Sequence, residues 1–400
     1  MRVKSPHPLS LRGFTAATAL CAMLAVGGCS GGGGGGRCGE GTSTEPAVTL
    51  VDKVTLGPGQ ATGPYTVSVP SCSGSLTILA DGGDAGDIDI SNITDPSGFR
   101  MIIEDPNNYP IGLNMAQGPG QSAVSFTLPH GGDYEFKAGT WTFNVTHYDS
   151  VDKKPREVSI YTMVKDAPGV TINLNLWIVA IADYQGEGDP NLAVMLGEFR
   201  RVMALAGFNV GAVNIVRLEG DQANRLTYIN INSDDNKNDQ SDDLDELFTL
   251  SAGAGNDYPN IFLVNYIGGG GVLGIAGGIP GPQIIQGTAH SGVAINMIGG
   301  LSVLTHDFLL MQGSTMAHEL GHVMGLFHTT ESQGKNFDPI ADTPMCPVQD
   351  FDKNGDGLVS AEECASVDGA NLMFWASASF RQDILTPTQR KTISLNPSVK

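Results

Sequence analysis

Basic residues are scarce in this 400-residue sequence, because 22 lysines and arginines stand against 42 aspartates and glutamates, for a formal net charge of −20. A surface of this sign repels phosphate backbones, so we expect no nucleic-acid partner, whereas calcium or cationic partners are compatible with it. Charged residues make up only 16% and apolar residues 41%. That balance excludes a disordered chain, and the length predicts two domains.

Long hydrophobic runs are also few. Residues 258–306 contain no Asp, Glu, Lys or Arg, but glycines and prolines interrupt them, which predicts a cleft-lining strand and loop rather than a membrane span. The uncharged apolar stretch from Phe14 to Gly28 follows three basic residues. It is too short for a spanning helix and is typical of a secretory signal.

The end of this stretch, Val26-Gly27-Gly28-Cys29, resembles the lipobox of bacterial lipoproteins, in which the cysteine becomes the lipidated first residue. We therefore expect a signal peptide at 1–28 and an exported protein that is anchored to a membrane through Cys29, facing the periplasm or the cell exterior. An ordinary cleaved signal, and hence a secreted protein, is the alternative. Residues 29–45 include six consecutive glycines and predict a flexible tether.

No two of the six cysteines lie close together, which argues against a zinc cluster of cysteines. Apart from Cys21 in the signal and Cys29, four remain: Cys38, Cys72, Cys346 and Cys364. In an oxidising compartment their proximity in sequence favours one bridge between Cys38 and Cys72 and another between Cys346 and Cys364. Buried unpaired thiols are the alternative.

Residues 46–168 consist of short alternating segments that are separated by turn residues. Examples are Tyr65 to Val69, Ala123 to Leu128 and Trp141 to Val145. This spacing predicts an all-β sandwich, and a few positions resemble the jelly-roll modules that accompany secreted bacterial peptidases. No catalytic constellation is present, so we expect an accessory domain.

Residues 169–400 change to an alternation of strands and helices, which predicts an α/β arrangement. A buried strand is expected from Thr171. Asp189 and Pro190 predict a helix start, and Gly207 its end. Further strands are expected at 208–218, 261–267 and 293–298, with a helix at 241–250.

The segment from 314 to 328 carries the strongest signal of chemistry. His318, Glu319, His322, Gly325 and His328 occupy the spacing HExxHxxGxxH. Residues four apart share a helix face, so His318 and His322 can bind one ion, and a turn at Gly325 allows His328 to become the third ligand. Three protein ligands leave a fourth tetrahedral position for water, as in catalytic zinc sites, and Glu319 is placed to act as the general base.

These residues resemble the extended zinc motif of the metzincin metallopeptidases, which a methionine-bearing turn follows. The candidate turn is Asn371-Leu372-Met373-Phe374-Trp375. With Asp342-Thr343-Pro344 and the segment 385–389, the sequence looks most like the pappalysin group. The resemblance implies an α/β or α+β catalytic domain over 169–400, with a twisted mixed sheet, an active-site helix and a backing helix, and with Met373 as structural support. Such families usually carry Tyr where this chain has Trp375, so a phenolic hydrogen bond to the reaction intermediate is absent or is supplied elsewhere.

The expected function is therefore that of a zinc metalloendopeptidase, which hydrolyses protein or peptide substrates outside the cytoplasm. An extended substrate would add as a strand at the sheet edge, at 293–298 or its neighbour. A catalytically inactive surface adhesin or binding lipoprotein that keeps the metzincin fold is the alternative.

A second metal signal lies at 352–363, where the spacing is that of the twelve-residue calcium loop. Glycine stands at the sixth position, Gly357, where the loop turns sharply. The expected oxygen ligands are the side chains of Asp352, Asn354, Asp356, Ser360 and Glu363 and the carbonyl of Leu358. An ordinary Asp/Gly turn is the alternative. Pro347 argues against the entering helix of a paired calcium-binding hand, so we expect a single structural site.

Overall fold

The computed structural model describes residues 43–83, 88–101, 122–129, 134–148, 153–232, 242–282 and 284–400. The expected signal peptide, Cys29, Cys38 and most of the tether lie outside these residues. Among the residues described, no helix has the length and apolar character to cross a membrane.

Two antiparallel sheets make up the N-terminal part of the described chain. One has the strand order β1-β7-β3-β5 and the other β2-β6-β4. Their buried side chains, Trp141 and Phe143 among them, form one hydrophobic cluster, as the alternating sequence pattern requires. The strands are Ala47–Leu56 (β1), Tyr65–Val69 (β2), Ser75–Asp81 (β3), Ile88–Thr94 (β4), Ala123–Leu128 (β5), Gly139–His147 (β6) and Arg156–Lys165 (β7).

The first strand of this part, β1, is absent from the sequence prediction. It is an edge strand that pairs only with β7, and its register shifts between Leu50 and Asp52. Most of its side chains are exposed or half-buried. Its sequence therefore lacks the burial pattern that marks the other strands.

The C-terminal part is built around a five-stranded mixed sheet with the order β13-β14-β11-β8-β9. Four strands are parallel and β13 runs antiparallel to β14. The five strands are Thr171–Val179 (β8), Asn209–Leu218 (β9), Asn260–Val264 (β11), Gly274–Ala276 (β13) and Val293–Asn296 (β14). A separate two-stranded sheet pairs Tyr228–Ile229 (β10) with Tyr266–Ile267 (β12).

The six α-helices of the described residues are Pro190–Leu205 (α1), Asp221–Leu226 (α2), Asp242–Thr249 (α3), His306–Val323 (α4), Val348–Phe351 (α5) and Pro387–Leu395 (α6). Local signals explain where α1 and α6 begin. The Asp189 side chain accepts hydrogen bonds from two amides of the first turn of α1, and Thr386 with Gln389 forms the capping box of α6.

Helices α1 and α4 pack closely against each other and against the sheet. At Gly313 of α4 an added Cβ would lie 2.8 Å from the Cβ of Glu198 and still closer to a carbonyl of α1. Only glycine permits this approach. Buried residues of both helices, such as Phe199 and Leu320, belong to the main hydrophobic cluster. The zinc-motif helix is thereby fixed beneath the sheet.

Hydrogen bonds join the N-terminal sheet to the C-terminal end of the described chain. The buried Lys165 of β7 donates through Nζ to the carbonyl oxygens of Ser394 (2.7 Å), Asn396 (2.9 Å) and Val399. The hydroxyl of Ser75 donates to the carbonyl of Leu395 at 2.8 Å. The two parts are therefore linked by polar contacts in addition to the chain connection.

Candidate active site

Helix α4 carries the first part of the HExxHxxGxxH segment. Thr305 caps it by accepting a hydrogen bond from the amide of Phe308, and the helix ends at Val323. The next glycine, Gly325, has a φ of +105°, a conformation that disfavours other residues. This reversal directs the chain back toward the helix and brings His328 beside His322.

The three histidines meet at one point. Nε2 of His322 lies 3.1 Å from Nε2 of His318 and 3.1 Å from Nε2 of His328. The opposite ring nitrogens are held from outside: Nδ1 of His318 donates to the carbonyl of Leu372 at 2.6 Å, and Nδ1 of His322 donates to the carbonyl of Leu326 at 2.7 Å. Because the protons are on Nδ1, the Nε2 lone pairs of these two rings face inward.

This arrangement fits a metal ion. The facing Nε2 atoms of neutral imidazoles have no proton to share between them, whereas one cation can accept all three lone pairs. Burial, with the neighbouring His328, lowers the pKa of His318 to about 4, and burial likewise lowers the pKa of His322 well below its usual range. Both rings are therefore neutral near pH 7, as metal ligands must be.

The third histidine has a carboxylate partner that the sequence analysis did not identify. Glu331 accepts a hydrogen bond from Nδ1 of His328 at 3.0 Å. A carboxylate on the outer nitrogen fixes the ring and makes it a stronger donor to a metal. Glu331 lies outside the zinc motif, and the one sequence signal that could have identified it is its position three residues after His328.

Glu319 follows the first histidine on α4 and is 8% exposed. Burial raises the pKa of its carboxyl to about 8. Its side chain packs against β13, because a Cβ added at Gly274 would lie 2.6 Å from the Cγ of Glu319. The glycine therefore leaves room for the carboxylate beside the three histidines, another detail that the sequence analysis missed.

A cleft of about 530 Å³ opens above this cluster. One wall is β13 with the residues before it. The other wall comes from the segment 372–377 and Gln382, whose amide donates to the carbonyls of Gly369 and Ala376. The uncharged segment 258–306 contributes the first wall, in agreement with the sequence prediction.

The edge of the sheet at the cleft is β13. The segment 293–298, named first as the possible edge, contains β14, which lies between β13 and β11. Among the residues that the structure describes, its neighbour β13 is paired on one side only, by β14, so its other backbone groups face the position where an extended peptide would add.

The segment around Met373 lies directly against α4. A Cβ added at Gly321 would lie 2.6 Å from the sulfur of Met373, and the preceding carbonyl, that of Leu372, holds His318. Trp375 lines the cleft, and its indole N–H donates to the carbonyl of Val359 at 2.8 Å. Trp375 thus serves as a link to the segment 352–363.

Comparison with known proteins gives one family match. Residues 208–329 match the family described as metallo-peptidase family M12B, reprolysin-like. The match includes β13, all of α4 and His328, and it supports a metzincin-like metallopeptidase. No curated protein matches the sequence.

Two solved structures are similar to parts of the chain. A structure of mirolysin in complex with compound 9 is 19% identical, with a TM-score of 0.35, and the match covers 57% of this chain and 91% of that one. Metalloproteinase-II from Bacteroides fragilis is 14% identical, with a TM-score of 0.24, covering 45% and 57%. At these TM-scores neither likeness establishes a shared fold.

The predicted bridge between Cys346 and Cys364 is present in this metallopeptidase-like part, and both residues are buried. It joins the two ends of the region that contains the segment 352–363. The pairing of Cys38 with Cys72 stays a prediction, because Cys38 lies outside the described residues.

The segment 352–363 forms a compact turn on the surface. Gly357 has a φ of +82° at the position where the calcium loop turns sharply. The Glu363 carboxylate accepts hydrogen bonds from the amides of Lys353 and Ser360, both at 2.9 Å, and these bonds lower its pKa. Contrary to the expectation from Pro347, a helix does precede the loop, but it is the single turn α5, of which Pro347 is the N-cap residue.

Proposed function

We propose that the protein is a zinc-dependent endopeptidase that acts on proteins or peptides outside the cytoplasm, and that its finer relationship is to the pappalysin group. The observation that carries the activity is the meeting of three imidazoles beside a buried carboxyl group at the base of a cleft. His318, His322 and His328 would hold the zinc ion, which would polarise the scissile carbonyl and acidify a water molecule.

Other residues of the chain would bind the substrate, transfer the proton and orient the zinc ligands. A substrate strand would pair with β13, which places its scissile bond near the three histidines. Glu319 would take a proton from the attacking water and return it to the leaving amine, because it follows the ligand His318 on α4 and lines the same cleft as the three histidines. Leu372 and Leu326, through their carbonyls, and Glu331 would keep the three imidazoles oriented.

The test combines metal analysis with proteolysis of an unfolded protein substrate. We expect about one zinc per chain, loss of cleavage with a chelator, and recovery on adding zinc. Glu319→Gln should retain zinc and lower kcat/KM by about 10²–10⁴-fold, the usual contribution of a general base. Glu187→Gln, at an exposed site, is the matched control. Cleavage that survives both the chelator and Glu319→Gln would contradict the proposal, whereas zinc binding without cleavage would favour the adhesin alternative.

Calcium at 352–363 belongs to the same proposal as a structural ion. Support comes from the spacing of the oxygen donors and the left-handed Gly357. Isothermal titration with calcium tests it, with Asp352→Asn and Glu363→Gln as variants expected to abolish binding.

Export and anchoring are the third element. We infer from the lipobox that Cys29 carries lipid, and that the N-terminal sheets are an accessory β-sandwich. Mass spectrometry of the mature N-terminus tests whether Cys29 carries lipid. In a second test, Cys29→Ser should give an unlipidated protein that is found in the soluble fraction.

A further inference from the structure

Between the cleft strand β13 and β14, the described residues 277–282 and 284–292 form a connecting segment that lies against the N-terminal sheet of β1, β7, β3 and β5. His290 in this segment is 2% exposed. Its Nδ1 donates to the carbonyl of Gly277, immediately after β13, so in the neutral ring Nε2 is an acceptor. The hydroxyl of Ser122, at the start of β5, lies 2.5 Å from that Nε2 and donates to it. One imidazole therefore joins the N-terminal sheet to the end of the cleft strand.

A second polar contact and an apolar one hold the same segment. The hydroxyl of Ser125 in β5 donates to the carbonyl of Pro280 at 2.8 Å. Ile284 forms a small buried cluster with Leu79 of β3 and Met163 of β7. The contacts come from three neighbouring strands of one sheet, so the sheet presents a continuous surface to the segment.

The opposite side of the segment touches the catalytic helix. The amide of Gly281 donates to the carbonyl of Val323, the last residue of α4, at 3.0 Å. Through Gly274 the strand itself packs on Glu319. The segment is thus held between the N-terminal sheet and α4, and β13 extends from it.

A three-residue edge strand needs such support. β13 pairs with β14 alone, and glycines flank it at 268–271 and 277–278. Glycine loses more conformational freedom on ordering than any other residue, so an isolated edge of this composition would fray. A peptide that added to a frayed edge would have to order it first, which weakens binding.

We propose that the N-terminal sheet is a fixed support for the edge strand of the substrate-binding cleft, and that His290 and Ser122 are positioning residues that keep β13 ordered for strand addition. The inference rests on the proposed peptidase function. In these terms the N-terminal part is neither a removable prosegment nor an independent binding module. Its contribution should appear in substrate binding rather than in the chemical step.

The experiment measures two quantities on the full chain. The first is the KM and kcat for a peptide substrate. The second is hydrogen exchange of the amides in 274–292, which needs no activity. Ser122→Ala removes the hydrogen bond between Ser122 and His290, which is one of the two described polar contacts between the sheet and the segment. His290→Asn keeps an amide donor for the carbonyl of Gly277 and loses the hydrogen bond to Ser122. Ser125→Ala tests the second contact. Ser91→Ala is the matched control, because its hydroxyl bonds to Thr146 within the other N-terminal sheet.

We expect Ser122→Ala and His290→Asn each to raise KM about tenfold, the factor that corresponds to about 1.4 kcal/mol of ordering, with kcat within about twofold. Exchange in 274–292 should accelerate in both variants and stay unchanged in Ser91→Ala. Unchanged exchange and KM in Ser122→Ala, His290→Asn and Ser125→Ala would overturn the proposal. If the wild type lacked peptidase activity, the proposed function would fail, and the exchange measurement would still decide whether the sheet orders β13.

Discussion

Replacing Gly274 by alanine tests how closely β13 controls the position of the Glu319 carboxyl group, the proposed general base. The added Cβ would lie 2.6 Å from Cγ and 3.1 Å from Cδ of Glu319, and 3.0 Å from Cγ2 of Thr315. Carbon atoms in contact normally lie about 3.5–4.0 Å apart. The Glu319 side chain or the strand must therefore shift by about 1 Å.

A displacement of this size has a predictable effect on rate. Misplacing a reacting group by about 1 Å can lower a rate by about 10²-fold, and overpacking of a buried site costs about 1–3 kcal/mol of stability. We expect Gly274→Ala to lower kcat by about 100-fold. The three atoms nearest to the new methyl group belong to Glu319 and Thr315 and not to a histidine. We therefore expect the zinc content to remain at the wild-type level.

The assay compares kcat, KM, zinc content and melting temperature of Gly274→Ala with those of Gly188→Ala. Gly188 has no atom within 4 Å of an added Cβ and no positive φ, so its substitution should leave all four quantities close to wild type. A Gly274→Ala variant that retained zinc and a kcat within about twofold of wild type would show that contact with Gly274 does not determine the position of the Glu319 side chain.

Three further predictions concern the surroundings of the cleft. Replacing Cys346 and Cys364 together by serine opens a loop with a sequence separation of 18 and should lower the free energy of unfolding by about 3 kcal/mol in denaturant titrations. Adding calcium should change the tryptophan fluorescence, because the indole N–H of Trp375 donates to the carbonyl of Val359, the residue after the expected ligand Leu358. A fluorescence response that persists in Trp375→Phe would contradict this. Burial raises the pKa of Asp338 to about 7, above its unfolded value of about 3.9, so its contribution to stability is complete below about pH 4 and is lost as the pH rises through about 7. Asp338→Asn should therefore flatten the loss of unfolding free energy between pH 5 and about 7.5, which chemical denaturation at several pH values measures.

Features that depend on neighbours in sequence could be predicted. Helix α1 begins at Pro190 because Asp189 caps it, and α6 begins at Pro387 because of its capping box. The three histidines are also local, since a helical turn and one glycine reversal determine their spacing.

Features that depend on residues far away in the sequence could not be predicted. β13 has only three residues in a glycine-rich segment, and it is a strand because β14 lies beside it. The pairing of His290 with Ser122 joins residues 168 positions apart, and no sequence pattern marks either residue. The position of β14 inside the sheet also depends on distant partners. A short apolar run predicts a strand but does not reveal whether one or both of its sides are paired, so the sequence alone is compatible with β14 as the edge.

The three carbonyl contacts of Lys165 have a consequence for the timing of folding. The bonded residues lie 229 to 234 positions later in the chain, so β7 leaves the ribosome long before its partners are made. Contacts between such distant positions form late and slowly. During synthesis the lysine would remain in water, and the sheet that supports the cleft would lack its final contacts. We therefore expect the incomplete chain to lack a fully supported cleft until its last residues have been made.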